Sequence, residues 1–265
     1  MRTLLKRLIP VLALFVCISA HAEYRIATVD LGRVFTNYWK TKQAQVAIDE
    51  KKSEWHVMIR NLAGLLSLVQ ISALEIHPWN CPADDIEHPD QLIFDLDPGP
   101  GVTWKTILKG ALQLHDMLEE LKLPTFVKTS GGKGLHITIP IRPTISWDQA
   151  KDFCKTIAEH LAQKSNLFVT NMRKDLRGGK TYIDYQRNGR GATAVAPYGT
   201  RARAGAAVSM PITWEECAKL KSADQFTILN ARKYLEKRKR DPWNGFEQSR
   251  VDLNQVAVAE PSATP

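Results

Sequence analysis

Cysteine is scarce. The 265 residues hold four, Cys17, Cys81, Cys154 and Cys217, far apart and in no C-x-x-C spacing. Cys17 falls in an N-terminal apolar run, which leaves an odd number elsewhere. That pattern excludes a disulfide framework and a zinc finger. His77, Cys81 and His88 are close in sequence. Their spacing matches no common zinc pattern, and Pro78 and Pro82 point instead to an ordinary bend. The N-terminal run, IPVLALFVCISA, is too short to span a bilayer comfortably, so no stable membrane span is expected. No internal repeat is visible, which excludes solenoids and propellers. Charge of one sign does not dominate either: 36 basic against 28 acidic residues leave a net charge of +8. This mild excess fits a polyanion partner without requiring one.

What is present begins with a leader. Arg2, Lys6 and Arg7 precede the apolar run, and Ala20-His21-Ala22 follows it. Residues 1–22 therefore read as a secretory signal peptide cleaved after Ala22; a buried first helix is the alternative. Residues 24–30, YRIATVD, alternate like a short strand, and residues 31–54 read as a polar helix. The stretch 23–55 resembles the start of the Skp/OmpH-like periplasmic chaperones, where a strand leads into a coiled-coil arm. Such an arm needs heptads sustained over several repeats. After Trp55 the chain instead turns apolar and globular, LAGLLSLVQISALEIHPW.

Residues 56–250 read as a mixed α/β domain. Hydrophobic residues make up 44% of the chain, enough to bury a real core. Thr103 can cap a helix whose apolar stripe is Ile107, Ala111, Leu114, Leu118 and Leu121, ended by Pro124. FVKTS and LHITIPI read as strands around a glycine-rich turn. Ser146 with Gln149 forms a capping box for a helix with Ala150, Phe153, Ile157 and Leu161 inward. TYIDY reads as another strand. Thr213 with Glu216 caps a short helix, and Ser222 can cap the next, which runs into the basic RKYLEKRKR. Residues 251–265 read as a disordered tail.

Three stretches carry chemistry. In QLIFDLDPGP, residues 91–100, strand alternation puts Asp95 and Asp97 on one face and Phe94 and Leu96 on the other. Adjacent carboxylates repel unless a cation lies between them, which suits a hard divalent ion. An acidic turn after a strand would look the same, and sugar-nucleotide transferases also use Asp-x-Asp. In TSGGKGLHITI, residues 129–139, three glycines allow a tight turn that aims backbone N–H groups at an anion. Ser130 adds a hydroxyl, Lys133 a charge, and His136 opens the next strand. It is not a Walker A loop, because a strand follows where a helix should. In TYIDYQRNGRGATAVAPYGTRARAG, residues 181–205, Asp184 is a third strand carboxylate. Arg187, Arg190, Arg201 and Arg203 offer guanidinium groups for phosphate oxygens or, alternatively, a solvated basic face. Together these parts suit in-line attack of a hydroxyl on an α-phosphate, with two metal ions on the aspartates and a triphosphate on the loop and arginines.

Residues from about 56 to 250 closely resemble the polymerase domain of bacterial DNA ligase D, of the archaeo-eukaryotic primase superfamily. LEIHPW, IFDLDPG, FVKTSGGKGLH, DYQRNGRGATAVAPY, RARAGAAVSMP, DQFTI and RDPW carry the resemblance. It implies a primase-like fold, α/β (α+β), with an RRM-like catalytic sheet flanked by helices. It implies nucleotidyl transfer from a nucleoside triphosphate to a DNA 3′-hydroxyl in non-homologous end joining, with Mn²⁺ or Mg²⁺ in a two-metal site. Asp95, Asp97 and Asp184 correspond to the metal-binding, catalytic carboxylates. Ser130, His136, Arg187 and Arg201 fall at triphosphate contacts, and Lys133 belongs to the same loop. DNA ends or gapped DNA, Ku and a ligase module are the implied partners. The family domain normally starts upstream of LEIHPW, so a domain lacking its N-terminal part is expected behind the leader. The two halves also predict different compartments: the nucleoid for a polymerase, the periplasm for an exported chain. A periplasmic Skp-like chaperone and an inactive, nucleotide-binding polymerase remnant are the alternative functions.

Overall fold

The computed structural model describes residues 57–59 and 61–256. The leader expected over 1–22 and the strand and helix expected over 24–54 lie outside the described residues. Apart from Val57 and Met58, the described residues belong to one unit, Ile59–Pro265.

Six strands form one sheet: β1 (Gln91–Pro98), β2 (Phe126–Thr129), β3 (Leu135–Pro140), β4 (Phe168–Val169), β5 (Thr181–Asp184) and β6 (Pro211–Ile212). Their order is β4-β5-β1-β3-β2-β6. Among these six strands, β4 and β5 are the pair that runs parallel. The helices are α1 (Leu62–Gln70), α2 (Trp104–Glu120), α3 (Trp147–Lys164), α4 (Trp214–Cys217) and α5 (Ala231–Glu236). No helix among the described residues is long and apolar enough to cross a membrane.

The sheet's apolar face follows from register. Phe94 pairs with Ile137, Leu96 with Leu135, and Ile137 with Val127, so these side chains share one side. They form one core with Ile107, Ala111, Leu114 and Leu118 of α2 and with Ala150, Cys154, Ile157 and Leu161 of α3. Phe94 and Leu96 are completely buried. The Thr103 hydroxyl accepts from the Thr106 N–H, 3.2 Å, at the start of α2. The capping boxes at Ser146 and Thr213 are both present. Phe153 is only partly buried; Cys154 and Ala158 take the inward positions beside it.

Three expectations are revised. The basic helix does not start at Ser222. Asn230 is the N-cap of α5, and before it Asn230 stitches a turn by accepting from the Thr227 N–H and donating to the Gln225 carbonyl. The packed fold also continues beyond residue 250. Val251 bridges to Ile141, and Leu253 is buried in the core. The apolar stretch after Trp55 forms α1, but α1 has no buried residue.

Candidate active site

On the face opposite the core, one row of polar side chains crosses four strands. Asp184 lies opposite Asp95, Asp95 opposite His136, and His136 opposite Lys128. Directly opposed residues point the same way, so all four share this face. Asp97 joins them by strand alternation, opposite Tyr182.

This face is polar, yet its centre is buried. Asp95 is 6%, His136 3% and Lys128 1% exposed. His136 Nε2 lies 3.5 Å from Asp95 Oδ1. Burial, reinforced by the charge of Asp97, pushes the Asp95 carboxyl up to about 7. Burial holds His136 well below the usual imidazole value, so it is neutral near pH 7. Burial also pulls the Lys128 ammonium down to about 7, against the attraction of Asp95.

Arg187 is the nearest guanidinium. Its Nε lies 3.3 Å from Asp95 Oδ2 and 3.2 Å from Asp184 Oδ2. The Nε–H makes no hydrogen bond, so this attraction is Coulombic rather than directional. The neighbouring Asn188 explains its placement. β5 ends at Asp184, and beyond it the Asn188 side chain takes over as a strand partner for β1. Its Oδ1 accepts from the Ile93 N–H at 2.7 Å and its Nδ2 donates to the Ile93 carbonyl at 2.8 Å. A side-chain amide thus extends the ladder and carries Arg187 to the carboxylates.

Among the described residues, no three His, Cys, Asp or Glu side chains close into a metal cluster. The donor set still suits a hard divalent ion. Two carboxylates share one face of β1, a third stands directly across on β5, and their mutual repulsion is relieved by a cation. Asp95, Asp97 and Asp184 are the carboxylates that could hold one.

The glycine loop works differently from its sequence expectation. The N–H groups of Gly132 and Gly134 donate to Ser130 Oγ, at 3.1 and 3.2 Å, rather than pointing at an outside anion. With its oxygen accepting both, Ser130 keeps its own O–H to donate. Gly131 has φ +62, a left-handed conformation, and a Cβ on Gly134 would fall 1.8 Å from the Leu96 carbonyl oxygen. Only glycine lets the loop close against β1.

Arg201 is clamped from two sides. Its Nη1 donates to the Ser130 carbonyl at 2.9 Å, and its Nε lies 3.2 Å from Glu75 Oε1. Glu75 also accepts from the Ala202 N–H at 2.7 Å and pairs with His77 Nε2 at 2.7 Å. The His77 contact, ahead of Ala202 and Arg201, holds the Glu75 carboxyl down at about 2 despite some desolvation.

These groups surround a pocket of about 190 Å³. Asp95, Asp97, Ser130, Lys133, His136, Arg187 and Arg201, all expected from sequence, line it. Asp184 stands beside it through Arg187. His77 and Arg203 also line it. Arg190 makes a bidentate pair with Glu87, at 3.0 and 2.7 Å, and is not among the lining residues. His88 bonds Asp85 at 2.9 Å and has no part in the pocket. Glu75, His77 and Lys128 were not legible as site residues. Lys128 sits in FVKTS as one more strand position, and no local spacing reveals that Glu75 meets Arg201.

Residues 22–243 match the family model described as the LigD primase-polymerase domain. The multifunctional non-homologous end joining protein LigD of Pseudomonas aeruginosa is 38% identical over 200 residues, covering 75% of this chain and 24% of that protein. LigD of Mycolicibacterium smegmatis is 35% identical over 164 residues, covering 61% of this chain and 22% of that protein. The chain therefore spans about a quarter or less of these relatives' length. A solved structure of the polymerase domain from Mycobacterium tuberculosis ligase D in complex with DNA is similar, with TM-score 0.66 and 30% identity, covering 72% of this chain and 69% of that one.

Proposed function

The chain belongs to the LigD primase-polymerase family, and from that membership we propose that it transfers a nucleotidyl group from a nucleoside triphosphate to the 3′-hydroxyl of a DNA end. The process served is double-strand break repair by non-homologous end joining, with DNA ends or gapped DNA as substrate. Ku and a ligase module are the proposed partners. The observation that carries this is the Asp184–Asp95–His136 row facing a pocket lined by Ser130, Lys133, Arg187 and Arg201.

The triphosphate sits between the loop and the arginines. Arg201, held rigid by Glu75 and the Ser130 carbonyl, presents a fixed cation to phosphate oxygens. Ser130 donates its free O–H, and Lys133 and Arg203 add charge at the same wall. Arg187 balances Asp95 and Asp184 and is partly exposed, so it can also meet the phosphates. Asp95, Asp97 and Asp184 would hold Mn²⁺ or Mg²⁺, which would supply Lewis-acid stabilisation of the attacking and leaving oxygens. The new bond joins the 3′-oxygen to the α-phosphorus as the bond from the α-phosphorus to the α,β-bridging oxygen breaks; pyrophosphate leaves with that oxygen, and the hydroxyl proton passes to solvent.

The test is single-nucleotide incorporation by the full chain on a gapped duplex with a 5′-phosphate, with Mn²⁺ or Mg²⁺ and each nucleotide in turn. Extension by one nucleotide is the expected result. A folded preparation that binds nucleotide without extending the primer would overturn the polymerase assignment and favour an inactive nucleotide-binding domain.

A further inference from the structure

Lys128 has no part in the chemistry above, yet it is a buried cationic side chain behind the site. Its Nζ has three neighbours: the Val195 carbonyl at 2.8 Å, Ser209 Oγ at 2.9 Å and His136 Nδ1 at 3.1 Å. A carbonyl can only accept. Ser209 gives its single hydroxyl proton to the Thr129 carbonyl at 2.8 Å, so toward Lys128 it too can only accept. Below its value of about 7 Lys128 is an ammonium; two of its three N–H groups are thereby placed, and the third points at Nδ1. A neutral imidazole that accepts at Nδ1 must carry its proton on Nε2. Nε2 is the atom that faces Asp95 and the pocket.

We propose that Lys128 is a positioning residue that fixes His136 in the Nε2–H tautomer, so that the imidazole presents a hydrogen-bond donor to the phosphate oxygens of the bound triphosphate. The role of the pocket as a triphosphate site rests on the function proposed above. The tautomer does not.

The assignment has a structural logic. The Lys128–His136 contact spans directly opposed residues of β2 and β3, so the ladder itself sets the distance. The Val195 carbonyl and Ser209 hydroxyl hold Nζ from the other side, and Lys128 is sealed from solvent. A lysine in that enclosure cannot reach the ligand. It acts on the ligand only through His136.

Two measurements test this. The first is a ¹⁵N spectrum of the full chain labelled at histidine, recorded at about pH 6, with His136 assigned by its loss in His136→Gln. The expected His136 signals are a protonated Nε2 and an unprotonated Nδ1. A protonated Nδ1 would overturn the proposal, whether or not the chain incorporates nucleotides. The second is a binding cycle with inorganic triphosphate and with ATP, each in Mn²⁺. Lys128→Met is expected to weaken binding about tenfold in the wild-type background, as loss of one charge-assisted donor does. In the His136→Gln background, where no tautomer is left to fix, it should cost less than about twofold. Equal losses in both backgrounds would show that Lys128 acts by another route. If Lys128→Met fails to fold, the wild-type spectrum alone decides.

Discussion

The two faces of one strand make opposite demands. On β1, Phe94 and Leu96 point into the core and are completely buried. Asp95 and Asp97, alternating with them, point into the pocket. The first pair contributes stability by leaving water. The second gathers like charge in a poorly solvated place, which raises the Asp95 carboxyl to about 7. A sheet that had only to fold would not place carboxylates there. The polar face is tolerated because the apolar face is strong, and its unfavourable electrostatics are what make it ready for a cation. Substitutions on the two faces should therefore separate stability from activity.

The largest effect is expected on the polar face. Asp97→Asn and Asp184→Asn should each lower the incorporation rate by about 10³-fold, while the urea midpoint stays the same or rises. A loss of activity that tracks a loss of stability would break the contrast. Phe94→Ala, one position away, should do the reverse. It should lower unfolding free energy by about 3–5 kcal/mol, seen by urea denaturation, and leave the rate of the folded fraction nearly intact. Arg201→Gln should sharpen the polar side by removing a phosphate contact. KM for the nucleotide should rise about tenfold with a smaller change in kcat, measured by steady-state incorporation. The smallest effect belongs to Glu75→Gln. Glu75 has a folded value of about 2 against an ordinary 4.5, so it contributes stability above pH 4.5 that is lost as pH falls toward 2. The variant should be less stable at neutral pH by about 1 kcal/mol, and the difference should shrink across that acid window in urea titrations.

Much of this was legible in the sequence where the signal is local. Strand alternation placed Asp95 and Asp97 on one face, and cap residues located the starts of α2, α3 and α4. The glycine-rich and arginine-rich stretches offered Asp184, Ser130, His136, Arg187 and Arg201, the resemblance gave them roles, and the fold unites them. What escaped was set by tertiary contact. The turn before α5 is stitched by Asn230, a side-chain arrangement that overrides the capping option at Ser222. The glycine N–H groups are used by Ser130, a choice of partner that no glycine spacing announces. Arg190 meets Glu87, more than a hundred positions away. Lys128 looks like any strand lysine until the register puts it opposite His136.

If the polar face of β1 is a nucleotidyl-transfer centre, primer extension depends on its carboxylates. The most direct measurement is primer extension by full-length Asp95→Asn beside the wild type, on the same gapped duplex, with Mn²⁺ and with folding checked by urea denaturation. The expected result is extension by the wild type and its loss in a variant that is at least as stable. Extension by Asp95→Asn at the wild-type rate would contradict it.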